Sequence, residues 1–226
     1  MTSREEALAR IRQSLQTGVL PDVAHRLERV TVFPEVDHAT LLSSFAREVQ
    51  AAGGEVYQPA THEGVLEVLT DLVKQAGQQA ITWADEDLPI KDIRELLFRA
   101  GVTRHVPDIA RDPVLRLQQW HDLDNVHVGI TGALGGLADT GSIIVSSGQH
   151  RSRAASLLPE THIALLLADR LYPTMQAFFA ASSAQELIEQ ASNLVFITGP
   201  SRTADIEMII TRGVHGPKRL CVILVP

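Results

Sequence analysis

Apolar and polar positions change period several times along this chain, and each change marks an element. Over residues 3–16, Leu8, Ile11 and Leu15 recur at helical spacing among Arg and Glu, which predicts an amphipathic helix closed by Gly18 and Pro21. Residues 18–37 contain Pro21 and Pro34 and no clear period, so they are expected to be a connector. From His38 an alternation begins. Helices are predicted over 39–52, 62–76 and 91–100, closed by Gly53-Gly54, Gly77 and Gly101, with short strands over 55–58, 80–83 and 102–106 between and after them. Strands separated by helices of this length predict a parallel sheet with helices on its faces.

The rhythm breaks at Val126. The stretch HVGITGALGGLADTGSIIVSSG holds two β-prone pieces, 126–131 and 142–146, separated by glycine turns, which is the pattern of a hairpin or meander. Beyond it, 163–168 and 194–198 are expected to be buried strands. Residues 172–181, 184–191 and 203–212 are expected to be helices, and 220–225 a final strand. The predicted organisation is an N-terminal helical arm and connector over 1–37, followed by one α/β domain over 38–226. That domain would be a largely parallel sheet flanked by helices, with a β-rich glycine-loop insertion.

Composition narrows the classes of function. The chain has 226 residues, 45% of them hydrophobic, enough for a continuous core. Its 20 basic and 27 acidic side chains give a net charge of -7, which argues against a nucleic-acid binder, and 4% aromatic residues leave little for base stacking. The charge is uneven: residues 1–126 hold 20 acids and 13 bases, whereas 127–226 hold seven of each, so an anionic ligand would prefer the second part. Apolar runs such as 163–168 are far shorter than the roughly 20 residues of a membrane span, and the N-terminus has no apolar signal core. The expectation is a cytoplasmic protein. The single cysteine, Cys221, excludes an internal disulfide and a four-cysteine cluster site in this sequence.

Candidate chemistry collects in the second part. There is no phosphate loop, no nucleophile elbow and no HExxH, and the glycines at 129, 132, 135 and 136 miss the dinucleotide spacing. His121, Asp122, Asp124 and His127 read as a solvated turn rather than a metal cluster, so no metal site is expected. Two segments stand out. Asp139-Thr140-Gly141 lies in a glycine-dense loop whose backbone amides can approach a ligand, and it also suits a plain hairpin turn. Ser201-Arg202-Thr203 follows an expected strand and opens an expected helix, where free amides and the helix dipole favour an anion. A simple N-cap explains Ser201 or Thr203 equally well but leaves Arg202 unaccounted for. His215 and Gly216, just before the last strand, could bring an imidazole and an amide to the same place. These eight residues are the expected ligand-binding set, with Arg202 pairing a carboxylate or phosphate; no catalytic residue is assigned.

The colinear segments ADTGS (138–142), SLLPETHIALL (156–166), GPSRTADIE (199–207) and GVHGPKRLCVILV (213–225) resemble the LutC/YkgG family of lactate utilization proteins, built on the LUD domain. The resemblance implies a fold similar to the NagB/RpiA/CoA-transferase group. It also implies participation, with iron–sulfur partner proteins, in the oxidation of L-lactate to pyruvate. Because this chain lacks the clustered cysteines of such partners, it would be the subunit without clusters, with no cofactor of its own evident. The N-terminal arm is either packed on its own domain or a homo-oligomer contact. The alternative function is a stand-alone enzyme or sensor that binds a small anionic metabolite at the carboxyl edge of the sheet.

Overall fold

The computed structural model describes residues 3–17, 36–107, 112–123, 125–181, 191–204, 210–213 and 215–226. The chain divides into two units, Met1–Phe33 and Pro34–Pro226. In the first, α1 (Ser3–Thr17) forms where the helical period predicts it, with Leu8 and Ile11 exposed.

The second unit is built on six parallel strands. β1 (Glu55–Tyr57), β2 (Gln79–Thr82), β3 (Thr103–His105), β4 (Val128–Ala133), β7 (Thr161–Leu167) and β12 (Arg219–Val225) lie side by side in the order β1-β12-β7-β4-β2-β3. The central strands β4, β7 and β12 are buried nearly throughout, as expected of a parallel sheet covered on both faces. The covering helices are α2 (His38–Ala51), α3 (His62–Ala76), α4 (Ile93–Arg99) and the short α6 (Ala154–Leu157), while α5 (Pro113–Leu123) is largely exposed and buries only Leu123. α2 starts where the Asp37 carboxylate accepts from the Thr40 amide at 2.9 Å, and α3 starts at the Thr61 cap. Val65, Leu69, Leu72 and Val73 then form one buried stripe on α3. The edge strand β1 is tied to β12 by a two-pronged ion pair, Arg219 to Glu55 at 2.5 and 2.8 Å, and the Tyr57 hydroxyl donates to the same carboxylate at 2.6 Å.

The glycine-rich insertion extends to a second sheet. β5 (Gly135–Leu137) and β6 (Ser142–Ser147) form a hairpin, whereas the other piece expected to take part, 126–131, falls in β4 of the parallel sheet; β8 (Leu171–Tyr172) joins β5, and β9 (Asn193–Ile197) pairs antiparallel with β6. α7 (Met175–Ala180) covers this sheet, and its Phe178 packs with Leu134, Leu137 and Ile144 and edge-on to Tyr172. The α/β class, the mostly parallel sheet and the helical layers agree with the sequence pattern. Three further details differ. Residues 113–123, without an assignment from sequence, form α5, so His121 and Asp122 lie on a helix rather than a turn. β9 is half-buried and belongs to the second sheet instead of the parallel one. The helix expected over 203–212 is replaced by strands β10 (Arg202–Ala204) and β11 (Ile210–Arg212), antiparallel, with Arg202 opposite Arg212. The isoleucine spacing that suggested that helix is offset by Thr203, Ile210 and Thr211, β-branched residues suited to strands. The helix expected over 184–191 falls almost wholly outside the described residues.

Candidate functional site

Of the residues singled out from sequence, Gly141 and Arg202 meet the last turn of α2, and packing explains both. Gly141 closes the β5–β6 turn with φ +65°, and a Cβ there would stand 2.5 Å from the Glu48 carbonyl carbon, so only glycine lets the loop rest on the helix backbone. Asp139 and Thr140 are exposed, and the Asp139 amide donates to the Pro173 carbonyl at 3.2 Å. A chain of hydroxyls, Thr140 to Ser142 at 2.8 Å and Ser142 to Thr198 at 2.6 Å, joins this loop to the end of β9.

Arg202 finds its account here. Its Nη2 donates to the Ala52 carbonyl at 2.6 Å, placing a guanidinium on the negative end of the α2 dipole. Ser201-Arg202-Thr203 thus leads into the β10–β11 ribbon rather than opening the helix expected from residue 203, and Arg202 closes a helix C-terminus. The backbone of Thr203 pairs with Thr211.

Ser201, His215 and Gly216 are brought together elsewhere. The Ser201 amide donates to the Pro217 carbonyl at 2.9 Å and its carbonyl accepts from Gly213 at 3.1 Å, which fixes the two loops side by side. The three residues line a cavity of about 150 Å³ together with Ser156, Val195, Ile197, Leu220 and His162. This cavity lies at the amino ends of β7 and β12, facing β9, and not at the carboxyl edge. His162 is fully buried, and burial pulls its pKa down to about 4, so the ring is neutral at neutral pH. Its Nε2 pairs with the Thr131 hydroxyl at 2.9 Å, while Nδ1 has no partner.

A second concavity occupies the carboxyl edge. The connections after β2 and β4 leave in opposite directions, to β3 on one side and β7 on the other, and a crevice opens where such a sheet reverses. It holds about 160 Å³, lined by Trp83, Glu86, Asp87, Gly132, Arg151 and Arg170 among others. Its walls are cross-braced. The Trp83 amide donates to Ile130, its indole N–H donates to the Ser152 carbonyl at 3.3 Å, and the Ala84 amide donates to His150. Arg104, half-buried, bonds the Thr82 hydroxyl, the Trp83 carbonyl and the Asp85 carboxylate. Gly148 and Arg151 exchange backbone bonds across a tight turn, and His150 adopts φ 60° within it. Arg151 stands 3.7 Å from Asp87. Burial raises the Asp87 carboxyl above its ordinary range, and the Arg151 charge partly offsets that rise.

Sequence reasoning passed over this crevice. The available signals were Asp85-Glu-Asp87 directly after a strand and Gly148-Gln-His-Arg151-Ser-Arg153 directly after another. Among the described residues no group of three His, Cys, Asp or Glu is placed to hold a metal ion. Cys221 is enclosed in β12, where burial pushes its thiol up to about 12, and it serves as a core side chain. Among the described residues no helix is long and apolar enough to cross a membrane.

A doubly covered parallel sheet with a charged crevice at its reversal point, and a second sheet carried on a glycine-rich insertion, define an α/β protein built on two sheets. The LUD domain family model matches residues 42–225, and the chain belongs to that family. It is 33% identical over 164 residues to lactate utilization protein C of Geobacillus sp. (strain WCH70), covering 70% of this chain and 67% of the relative. To lactate utilization protein C of Bacillus subtilis (strain 168) it is 27% identical, covering 99% of this chain and 96% of the relative. Among solved structures, a DUF162 family protein from Deinococcus radiodurans superposes with a TM-score of 0.61 at 20% identity, covering 85% of this chain and all of the other, which is a likeness of fold.

Proposed function

We propose that this chain is a component of an L-lactate utilization system that oxidises lactate to pyruvate together with iron–sulfur partner proteins. The observation that carries the reading is the family match across nearly all of the second unit, with relatives named lactate utilization protein C. In this reading the clusters reside in the partners, since one enclosed cysteine supplies no cluster ligand set here. Leu8 and Ile11 on α1 offer the segment for self-association. The crevice favours a second, related reading, in which the chain acts as an enzyme or sensor for a small anion. Arg151 and Arg170 present planar donors to a carboxylate at the carboxyl edge, and Asp87 holds Arg151 in position.

Deletion of the gene tests the first reading. Growth on L-lactate as sole carbon source should be lost, growth on glucose kept, and the wild-type gene should restore the loss. Undiminished growth on lactate would overturn it. Complementation with an Arg151→Ala, Arg170→Ala double variant separates the two sites of action: failure to restore growth despite a folded product places the crevice in the function, and full restoration removes it.

A further inference from the structure

The crevice at the carboxyl edge is balanced in charge, and that balance bears on what an anion must bring with it. Among the described residues that line it, the carboxylates of Glu86 and Asp87 are matched by the guanidiniums of Arg151 and Arg170, and the other lining residues are uncharged. The side chains of Arg151 and Asp87 are mostly enclosed, 14% and 23% exposed. Nε of Arg151 and Oδ1 of Asp87 stand 3.7 Å apart, a contact between charges longer than a hydrogen bond. An anion entering such a site adds a negative charge where little water is left to solvate it, and a buried charge without compensation is strongly unfavourable. A proton on a neighbouring carboxylate restores the balance.

Asp87 is the carboxylate prepared to take it. Burial raises its carboxyl above the ordinary range; Arg151 opposes the rise, Glu86 adds to it, and the positive form of His150 opposes it. Asp85, two residues away, is held by Arg104 at 2.6 Å. An anion that shares Arg151 weakens the opposing charge and adds a repulsion of its own, so Asp87 binds a proton more readily in the complex than in the free protein.

We propose that the crevice takes up a small monocarboxylate together with one proton from solvent, which settles on Asp87. The proposal rests on the small-anion reading of the crevice given above and names its ligand class. A cavity of about 150 Å³ holds benzene, so the 160 Å³ here suit an acid of about six heavy atoms. Its carboxylate would meet Arg151 and Arg170, and its apolar part Leu134 and Leu167. A second carboxylate would find no further cation among the described lining residues. Because the protonated form of Asp87 favours the anion, binding strengthens as pH falls, by at most about tenfold per pH unit for one linked proton.

Acetate and L-lactate serve as probes, titrated calorimetrically into the full chain between pH 5.5 and 8 in buffers of different ionisation enthalpy. Saturable binding is expected, with up to one proton drawn from the buffer per anion and a Kd that falls as pH is lowered. Asp87→Asn fixes the side chain uncharged; it should bind the probes at pH 8 at least as tightly as the wild type, take up no proton and lose the pH dependence. Glu86→Gln and His150→Gln should keep the uptake. Binding without proton uptake in the wild type, a measurement that needs no variant, would overturn the coupling and leave the anion reading standing. Uptake that persists in Asp87→Asn would do the same. No saturable binding of either probe would overturn both.

Discussion

Gly129 carries the contact between β4 and α6, and replacing it with alanine is the sharpest test of how this fold is packed. A Cβ at that position would overlap the Ala155 carbonyl oxygen and stand 2.8 Å from its carbon and 3.0 Å from Pro159 Cγ. Carbon atoms pack at about 3.5–4.0 Å, so α6 must retreat by roughly 1 Å. The obstacle is backbone, which has no rotamer to change. Ala154 and Ala155 are buried against the sheet and would lose contact as the helix moves. Overpacking of this kind costs typically about 1–3 kcal/mol, and an immovable main-chain neighbour puts Gly129→Ala at the upper end, about 3 kcal/mol. For a domain of this size that is a fall in Tm of roughly 6–12 °C. Urea unfolding followed by circular dichroism measures it, with the midpoint falling and the slope unchanged. A loss below about 0.5 kcal/mol would refute the reasoning, because it would mean that α6 is not seated on Gly129.

Two further outcomes follow from the same geometry. His162 binds its proton at about 4 when folded and near 6.5 when unfolded, so acid favours the unfolded chain; its contribution is complete above pH 6.5 and declines as pH falls towards 4, by about 3 kcal/mol in all. Urea midpoints measured from pH 7.5 to 4.5 should fall more steeply for the wild type than for His162→Gln, and parallel curves would contradict the buried neutral ring. Arg202→Ala removes the donor to Ala52 and should lower stability by about 1 kcal/mol or less. Calorimetric titration should show any binding of L-lactate unchanged in that variant, whereas a loss of anion binding would return Arg202 to a ligand site.

The helical and strand periods of residues 38–106 were legible because each buried stripe is local: the spacing of Val65, Leu69, Leu72 and Val73 is the spacing of one helix face. The role of Arg202 was not, because its partner Ala52 lies 150 residues away. Ser201, His215 and Gly216 lie together because short loops flank the same strand ends, but their cavity could not be placed while β9 was counted in the parallel sheet. The β10–β11 ribbon escaped because isoleucine spacing serves a helix and a twisted strand alike over so short a run. The crevice at the carboxyl edge depends on strand order. Only the reversal between β2 and β4 brings Asp87 to Arg151, and no local pattern encodes that reversal.

The position of β12 has a consequence for how the protein is made. This strand comprises residues 219–225, yet it is the neighbour that β1 requires, and among the described residues no other strand pairs with β1. On the ribosome, residues 55–57 must wait for about 160 further residues before their pairing partner exists. At about 5–20 residues per second that interval is roughly 8–30 s. Throughout it, the apolar faces of α2 and α3 have no completed sheet to cover, and the nascent chain presents them to whatever is nearby. The parallel sheet closes only when β12 is delivered between β1 and β7, so the synthesis of residues 219–225 decides when β1 and the helices packed beside it gain a completed sheet.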